Sequence, residues 1–391
     1  MHSNNTPTQP GPLQGIRVIE FAGLGPAPLA CMLLADLGAT VLRIDRFDGP
    51  SAGQAMLDSS KDLLQRGRLP LALDLKKEEG QKAALKLIES ADILIEGYRP
   101  GVMERLGVGP DVCLKHNPAL IYGRITGWGQ TGPLAHTAGH DINYLAISGL
   151  LHAFGRRDSA PVPPLNMVAD YAAGTMFLVF GVLAALLSAR STGKGQVVDA
   201  AMTDGLAVMQ TLIYSMRGMG MWKDERESNY LDGGVPRYDT YPCADGRYVA
   251  IGPLEGNFYK LLIQGLELEN EACMLKPDNP SLWPEQRKII AATLLKHPRD
   301  YWAEKFEGSD ACLSPVLTPQ EAVKYPHNVA RSSYVEVDGV MQPGTAPRFS
   351  ETPAAQPAKM PAADAGAPSS LSRWGLSNSE INDLIAAGLV R

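Results

Sequence analysis

The run AGHDINYLAISG, residues 138–149, sets His140 and Asp141 side by side directly after the Gly-rich GWGQTG. An imidazole takes up or releases a proton near neutral pH, so a histidine at the head of a helix can serve as a general base. Asp141 in the first helical turn suits the positive end of the helix dipole, and the amides there lack intrahelical acceptors. The pair reads either as a helix cap or as a base beside an anion-stabilising helix start. The second reading needs a partner base elsewhere in the chain.

A second group of residues could hold an anion. Arg43 and Arg46 in LRIDR, Arg66 and Arg68 in LLQRGR, Lys76 in LDLK and Arg99 in GYRPG gather near the ends of strand-like runs. Guanidinium matches phosphate geometry, and parallel sheets bind ligands at the carboxyl ends of their strands. These cations form a candidate handle for a phosphate-bearing ligand; the other reading is a solvated basic rim. Nearby, Gly23, Gly25 and an acid at Asp45 resemble a dinucleotide fingerprint. Pro28 stands where the third glycine belongs and Arg46 adjoins the acid, so the NAD reading is weak.

The elements that position these groups follow from the apolar runs. GIRVIEF, ATVLRID, LPLALDL, DILIEGY and ALIYGRITGW read as strands, with helical periods in LACMLLADLG and KKEEGQKAALKLIESA between them. Alternating strand and helix predicts a mostly parallel sheet flanked by helices. Residues 168–190 predict one long buried helix, whose apolar run Tyr171–Leu187 is shorter than the roughly 20 residues of a membrane span. A Gly-marked turn, a further strand and a helix follow in STGKGQVVDAAM. Residues 217–240 are rich in Gly and charge and read as a connecting arm; ADG in YPCADGRYVAIG signals a hairpin. A Pro- and Ala-rich stretch precedes a terminal helix in LSNSEINDLIAAGLV.

Bulk properties bound the function. A chain of 391 residues, 45% hydrophobic, can bury a large core. Its net charge of -6 argues against a general nucleic-acid or anionic-membrane surface. Five scattered cysteines without a CxxC pair read as buried reduced thiols of a cytoplasmic protein, with no metal site. The polar opening, residues 1–12, reads as a disordered leader.

Several ordered blocks carry a more specific resemblance: GIRVIEFAGLGPAPLACMLLADLGATVLRIDR, LALDLK, ADILIEGYRPGVMERLG, LIYGRITGWGQTGPLAHTAGHDINYLAISG, PPLNMVADYAAG, TGKGQVVDAAMTDG and CADGRYVAIGPLEGNFY. Together they resemble the class III CoA-transferase family and, within it, the α-methylacyl-CoA racemase subgroup. The resemblance implies an α/β fold: a Rossmann-like large domain over 13–216 and 330–391, and a smaller α+β domain over 241–329. It also implies two subunits interlocked as rings, forming a homodimer.

For the site, the resemblance implies that His140 and Asp170 are the acid/base pair, with Glu255 orienting the imidazole and Asn166 partnering Asp170. It further implies that the Asp141 amide stabilises an enolate oxygen. Gly256 departs from the Pro that often follows the acid in relatives. Arg46, Leu73, Leu75, Lys76, Arg99 and Tyr144 are the expected contacts of the CoA moiety, which is part of the substrate; no further cofactor is expected. Met202, Met209 and Met216 at heptad spacing, then Met219 and Met221, read as core, or as an adaptable apolar surface for acyl chains. Inverting a carbon α to a thioester needs a group on each face, and His140 with Asp170 would supply both. A CoA-transferase would instead use Asp170 as a nucleophile and would not need a second base. A CoA-ester scaffold would need neither arrangement.

Overall fold

Six runs of mostly apolar residues become the strands of one parallel sheet: β1 (Arg17–Phe21), β2 (Thr40–Arg46), β3 (Arg68–Leu73), β4 (Ile93–Glu96), β5 (Ile121–Thr126) and β6 (Gln196–Ala201). Every pairing is parallel, in the order β3-β2-β1-β4-β5-β6. That is the doubly wound order, in which the chain reverses direction across the sheet between β1 and β4 and opens a crevice at their carboxyl ends. The computed structural model describes residues 10–49, 61–361 and 366–391. Residues 1–9 of the expected leader lie outside the described residues.

The sheet core is formed by Ile19, Leu42, Leu71 and Leu94, all fully buried, each such side chain contributing about 1.5–3 kcal/mol. The long helix expected over 168–190 runs from Met167 to Thr192, but its first nine residues, Met167–Thr175, are wound as a π-helix. Leu178 and Val182 press on Gly123 of β5, where an added Cβ would lie 2.9 Å from Val182. The expectation of full burial is corrected on the other face. Met176, Phe180 and Leu187 are 52%, 73% and 74% exposed. By length and composition this segment could cross a membrane; here its inner face packs on β5 and β6.

The chain divides into two compact units, residues 1–148, 165–209 and 327–391 in one and 149–164 with 210–326 in the other. These bounds differ from the expected domains. The segment read as an arm, 217–240, falls in the second unit and is tied to 149–164 by charge: Arg156 bonds Glu227 and Asp239, and Arg226 donates to the carbonyls of His152, Arg156 and Ser159. The second unit holds an antiparallel sheet of Asp239–Pro242, Tyr248–Ile251 and Leu313–Pro315, with the expected hairpin at ADG. The first unit also carries a hairpin not foreseen, Tyr334–Val337 with Val340–Pro343. Its turn residues Asp338 and Gly339 both take positive φ, as an Asp-Gly turn requires.

Four of the five cysteines are buried and all are free, while Cys312 is exposed, which corrects the expectation of uniform burial. The terminal helix is Asn378–Ala386, capped reciprocally by Ser377 and Glu380. Ser377→Ala removes the hydroxyl that accepts from the Glu380 amide. It is expected to cost about 1 kcal/mol, read as a small fall in thermal midpoint with activity unchanged.

Candidate active site

The crevice at the carboxyl ends of β1, β4 and β5 is a cavity of about 510 Å³ lined in part by Gly25, Arg99, Gly127, Gly139, His140, Tyr144, Asp170 and Met202. Each wall has a local cause. Gly25 ends the turn after β1 with φ 71° and ψ -117°, a conformation that L side chains rarely adopt, and an added Cβ would stand 3.4 Å from Asp170 Oδ2. Gly127, just past β5, is pressed by the Tyr144 ring, which a Cβ there would meet at 2.0 Å. Tyr144 also packs edge-on against Trp128 and donates its hydroxyl to the Gly139 carbonyl, fixing the backbone on which His140 sits.

His140 immediately precedes the helix Asp141–Ser148 and is exposed to the cavity's solvent. Its own amide donates to Asn143 Oδ1 at 3.0 Å, and its carbonyl accepts from the Asn143 amide. Asn143 therefore caps the helix start, a role that the sequence reading missed. The signal was present: an Asn three residues past a Gly-His step. Among the described residues, the Asp141 amide donates to no protein acceptor.

The Asp141 side chain makes contacts that were not anticipated. Its Oδ2 accepts from the amides of Ala169 and Asp170, at 2.9 and 2.8 Å, while Oδ1 is buried without a partner. The carboxylate thereby ties the π-helical segment bearing Asp170 to the helix that follows His140. Burial pushes the Asp170 carboxyl above the usual carboxylate range, helped by the charge of Asp141 and opposed by the Asn166 amide and by His140. Asn166 Nδ2 reaches Asp170 Oδ2 at 3.4 Å, a loose contact. Tyr144 is pushed up to about 12, chiefly by burial and then by the charge of Asp170.

A second cavity, about 270 Å³, lies at the carboxyl ends of β1, β2 and β3 and is lined by Asp45, Arg46, Phe47, Leu73, Leu75, Lys76 and Tyr98, among others. Of the six expected CoA contacts, Arg46, Leu73, Leu75 and Lys76 meet here, whereas Arg99 and Tyr144 line the first cavity. The segment 97–100 separates the two, with Tyr98 facing one and Gly97, Arg99 and Pro100 the other. It is anchored by Glu96, fully buried, which accepts from the Tyr98 amide at 2.7 Å and from Arg124 at 2.7 Å. Burial raises the Glu96 carboxyl to about 7 against the pull of those two donors.

Two other expected cations do not serve. β3 begins at Arg68, so Arg66 and Arg68 stand at the amino edge of the sheet, away from both cavities. Arg66 is bonded to Asp36, Gln342 and the Pro343 carbonyl, and Arg68 to Glu20 and the Pro28 carbonyl. A buried guanidinium requires such partners, and these commit both arginines inside the protein rather than to a ligand. Arg43 is likewise buried against Asp45, at 2.9 Å. Asp45 is thus the counterion of an arginine rather than a free ribose acid, which disposes of the fingerprint. Of the methionines, Met202 lines the first cavity and Met209, Met219 and Met221 are exposed. Glu255 belongs to the second unit, where it is the N-cap of the helix Gly256–Gly265.

The strand order and the cavities at its carboxyl edge define an α/β enzyme of the doubly wound class. The chain belongs to the CoA-transferase family III, whose profile matches residues 13–366. It is 41% identical over 375 residues to the alpha-methylacyl-CoA racemase of Mus musculus, covering 95% of this chain and 96% of that protein. The alpha-methylacyl-CoA racemase of Homo sapiens is 42% identical over 345 residues, 88% of this chain and 87% of that one. A solved CAIB/BAIF family protein from Brucella suis shares the fold with a TM-score of 0.77 at 24% identity, covering 95% of this chain and all of that one.

Proposed function

We propose that this chain is an α-methylacyl-CoA racemase that interconverts (2R)- and (2S)-2-methylacyl-CoA esters by moving the C2 proton through an enolate. The observation that carries the reading is that one cavity, at the switch point of the sheet, is lined by both an imidazole and a carboxyl, His140 and Asp170. One of them takes the proton from one face while the other returns a proton to the opposite face, and the roles exchange in the reverse direction. The enolate oxygen needs a donor already in place; the Asp141 amide at the helix head is our candidate, and such donors lower barriers by roughly 3 kcal/mol. The raised carboxyl of Asp170 suits a group that must both give and take a proton. We assign Asn166 to steadying Asp170.

We place the nucleotide half of CoA in the second cavity, against Arg46 and Lys76, with the pantetheine arm passing Tyr98 and Arg99 toward the acyl end beside Met202. No cofactor other than the CoA of the substrate is invoked. The exposed apolar face of Met176, Phe180 and Leu187 supports a homodimer, as an unpartnered patch of this kind is costly in water. Free thiols support a cytoplasmic setting.

Membership in the transferase family favours one alternative, in which Asp170 is a nucleophile that forms an anhydride and then an aspartyl-CoA thioester. One experiment separates the two: a single enantiomer of a 2-methylacyl-CoA in deuterated water without an acceptor acid. The racemase reading expects deuterium at C2 together with loss of optical purity. No exchange, with CoA moving only once an acceptor acid is added, sinks it.

A further inference from the structure

The second cavity is flanked by a cation that the sequence reading did not include. Its lining acids are all matched: Asp45 by Arg43, Asp48 by Lys76, and Asp74 by Lys77 at 3.8 Å. Arg46 makes no ion pair among the described residues, and one further cation stands beside the cavity in the same state. The segment Leu389–Arg391 runs antiparallel to β3, with the Asp74 amide donating to the Leu389 carbonyl and Ala72 and Arg391 exchanging both backbone bonds. This ladder sets the Arg391 guanidinium over the ring of the cavity-lining Phe47, with Cζ 4.9 Å from the ring centroid, close enough to act on Asp48. Arg391 makes no ion pair among the described residues and is exposed.

We propose that Arg391 is a binding residue for the phosphates of the CoA nucleotide, completing with Arg46 an anion clamp at the mouth of this cavity. The inference rests on the reading of the substrate as a CoA thioester and adds a contact at nearly the opposite end of the chain from Arg46. Phe47 holds the guanidinium by its ring face, which leaves the N–H edge free to donate. Two unmatched guanidinium groups beside an apolar floor of Leu73 and Leu75 suit a nucleotide carrying phosphate better than a neutral ligand.

The test compares Arg391→Glu, Arg391→Lys and the unaltered protein on a 2-methylacyl-CoA and on the matching pantetheine thioester, which lacks the nucleotide. Arg391→Glu is expected to raise KM for the CoA ester about tenfold, with kcat within about twofold, while the constants for the pantetheine ester stay put. Arg391→Lys should fall between. Calorimetric titration with free CoA reads the same contact without turnover and should show about tenfold weaker binding for Arg391→Glu. An unchanged KM and CoA affinity overturn the proposal, and so does an equal rise for the pantetheine ester, since Arg391 would then act through the fold. If the unaltered protein racemises neither ester but binds CoA in an Arg391-dependent way, the racemase reading fails and the clamp stands.

Discussion

In deuterated buffer, a His140→Ala variant is expected to stop interconverting the two enantiomers of a 2-methylacyl-CoA while still exchanging the C2 proton of one of them. Asp170→Asn is expected to show the mirror pattern, exchanging only the other. The reason is geometric: in the proposed mechanism each group serves one face of the α-carbon, so with its opposite number gone the enolate would be formed and reprotonated from the remaining side alone. Racemisation should fall by about 10²–10⁴-fold in each case, the usual contribution of a positioned acid or base. Ester affinity should change little, because neither group lines the cavity to which we assign the nucleotide half. The measurement is mass spectrometric deuterium content at C2 alongside chiral analysis of the recovered acid. Racemisation undiminished in either variant, or loss of exchange for the same enantiomer in both, contradicts two groups working on opposite faces.

How much of this was legible from sequence depended on the length scale of the cause. β1, β4 and β5 were readable because each is a short run rich in Val, Ile, Phe and Tyr, and a parallel sheet buried on both faces favours such runs even where they carry a buried charge such as Glu20 or Arg124. His140 was readable from its place at a glycine-marked helix start. The π-winding of Met167–Thr175 was not, since over nine residues its apolar spacing matches an ordinary helix; the segment is closely packed, and a Cβ added at Gly205 would meet the Ala173 carbonyl and one at Gly174 the Met202 side chain. Arg66 and Arg68 were misjudged although the needed fact was local: they precede β3 and so mark its amino edge. Arg391 was beyond reach, because its neighbour Phe47 lies at the other end of the chain.

Asp141 shows most clearly what spacing alone does not reveal, and it carries the second large effect. Sequence reasoning assigned a role to its amide, whereas the structure also engages its carboxylate with the amides of Ala169 and Asp170, residues 28 and 29 positions later. Asp141→Ala leaves those two amides without their acceptor, at about 1–3 kcal/mol each, and frees the segment that aims Asp170. A displacement on the order of 1 Å can cost about 10²-fold in rate, so kcat is expected to fall about that far with KM nearly constant. Asp141→Asn keeps an oxygen acceptor for the same amides but removes the charge that helps to raise the Asp170 carboxyl. Folding and most of kcat should then survive. In the direction where Asp170 is the base, the rate rises as pH climbs through its pKa, and a lowered pKa moves that acid limb to lower pH. Thermal midpoints for both variants, beside the pH dependence of kcat/KM, separate a positioning role from a merely structural one. An Asp141→Ala variant with full kcat, or an acid limb in Asp141→Asn that does not move, would show that the carboxylate neither holds nor tunes Asp170.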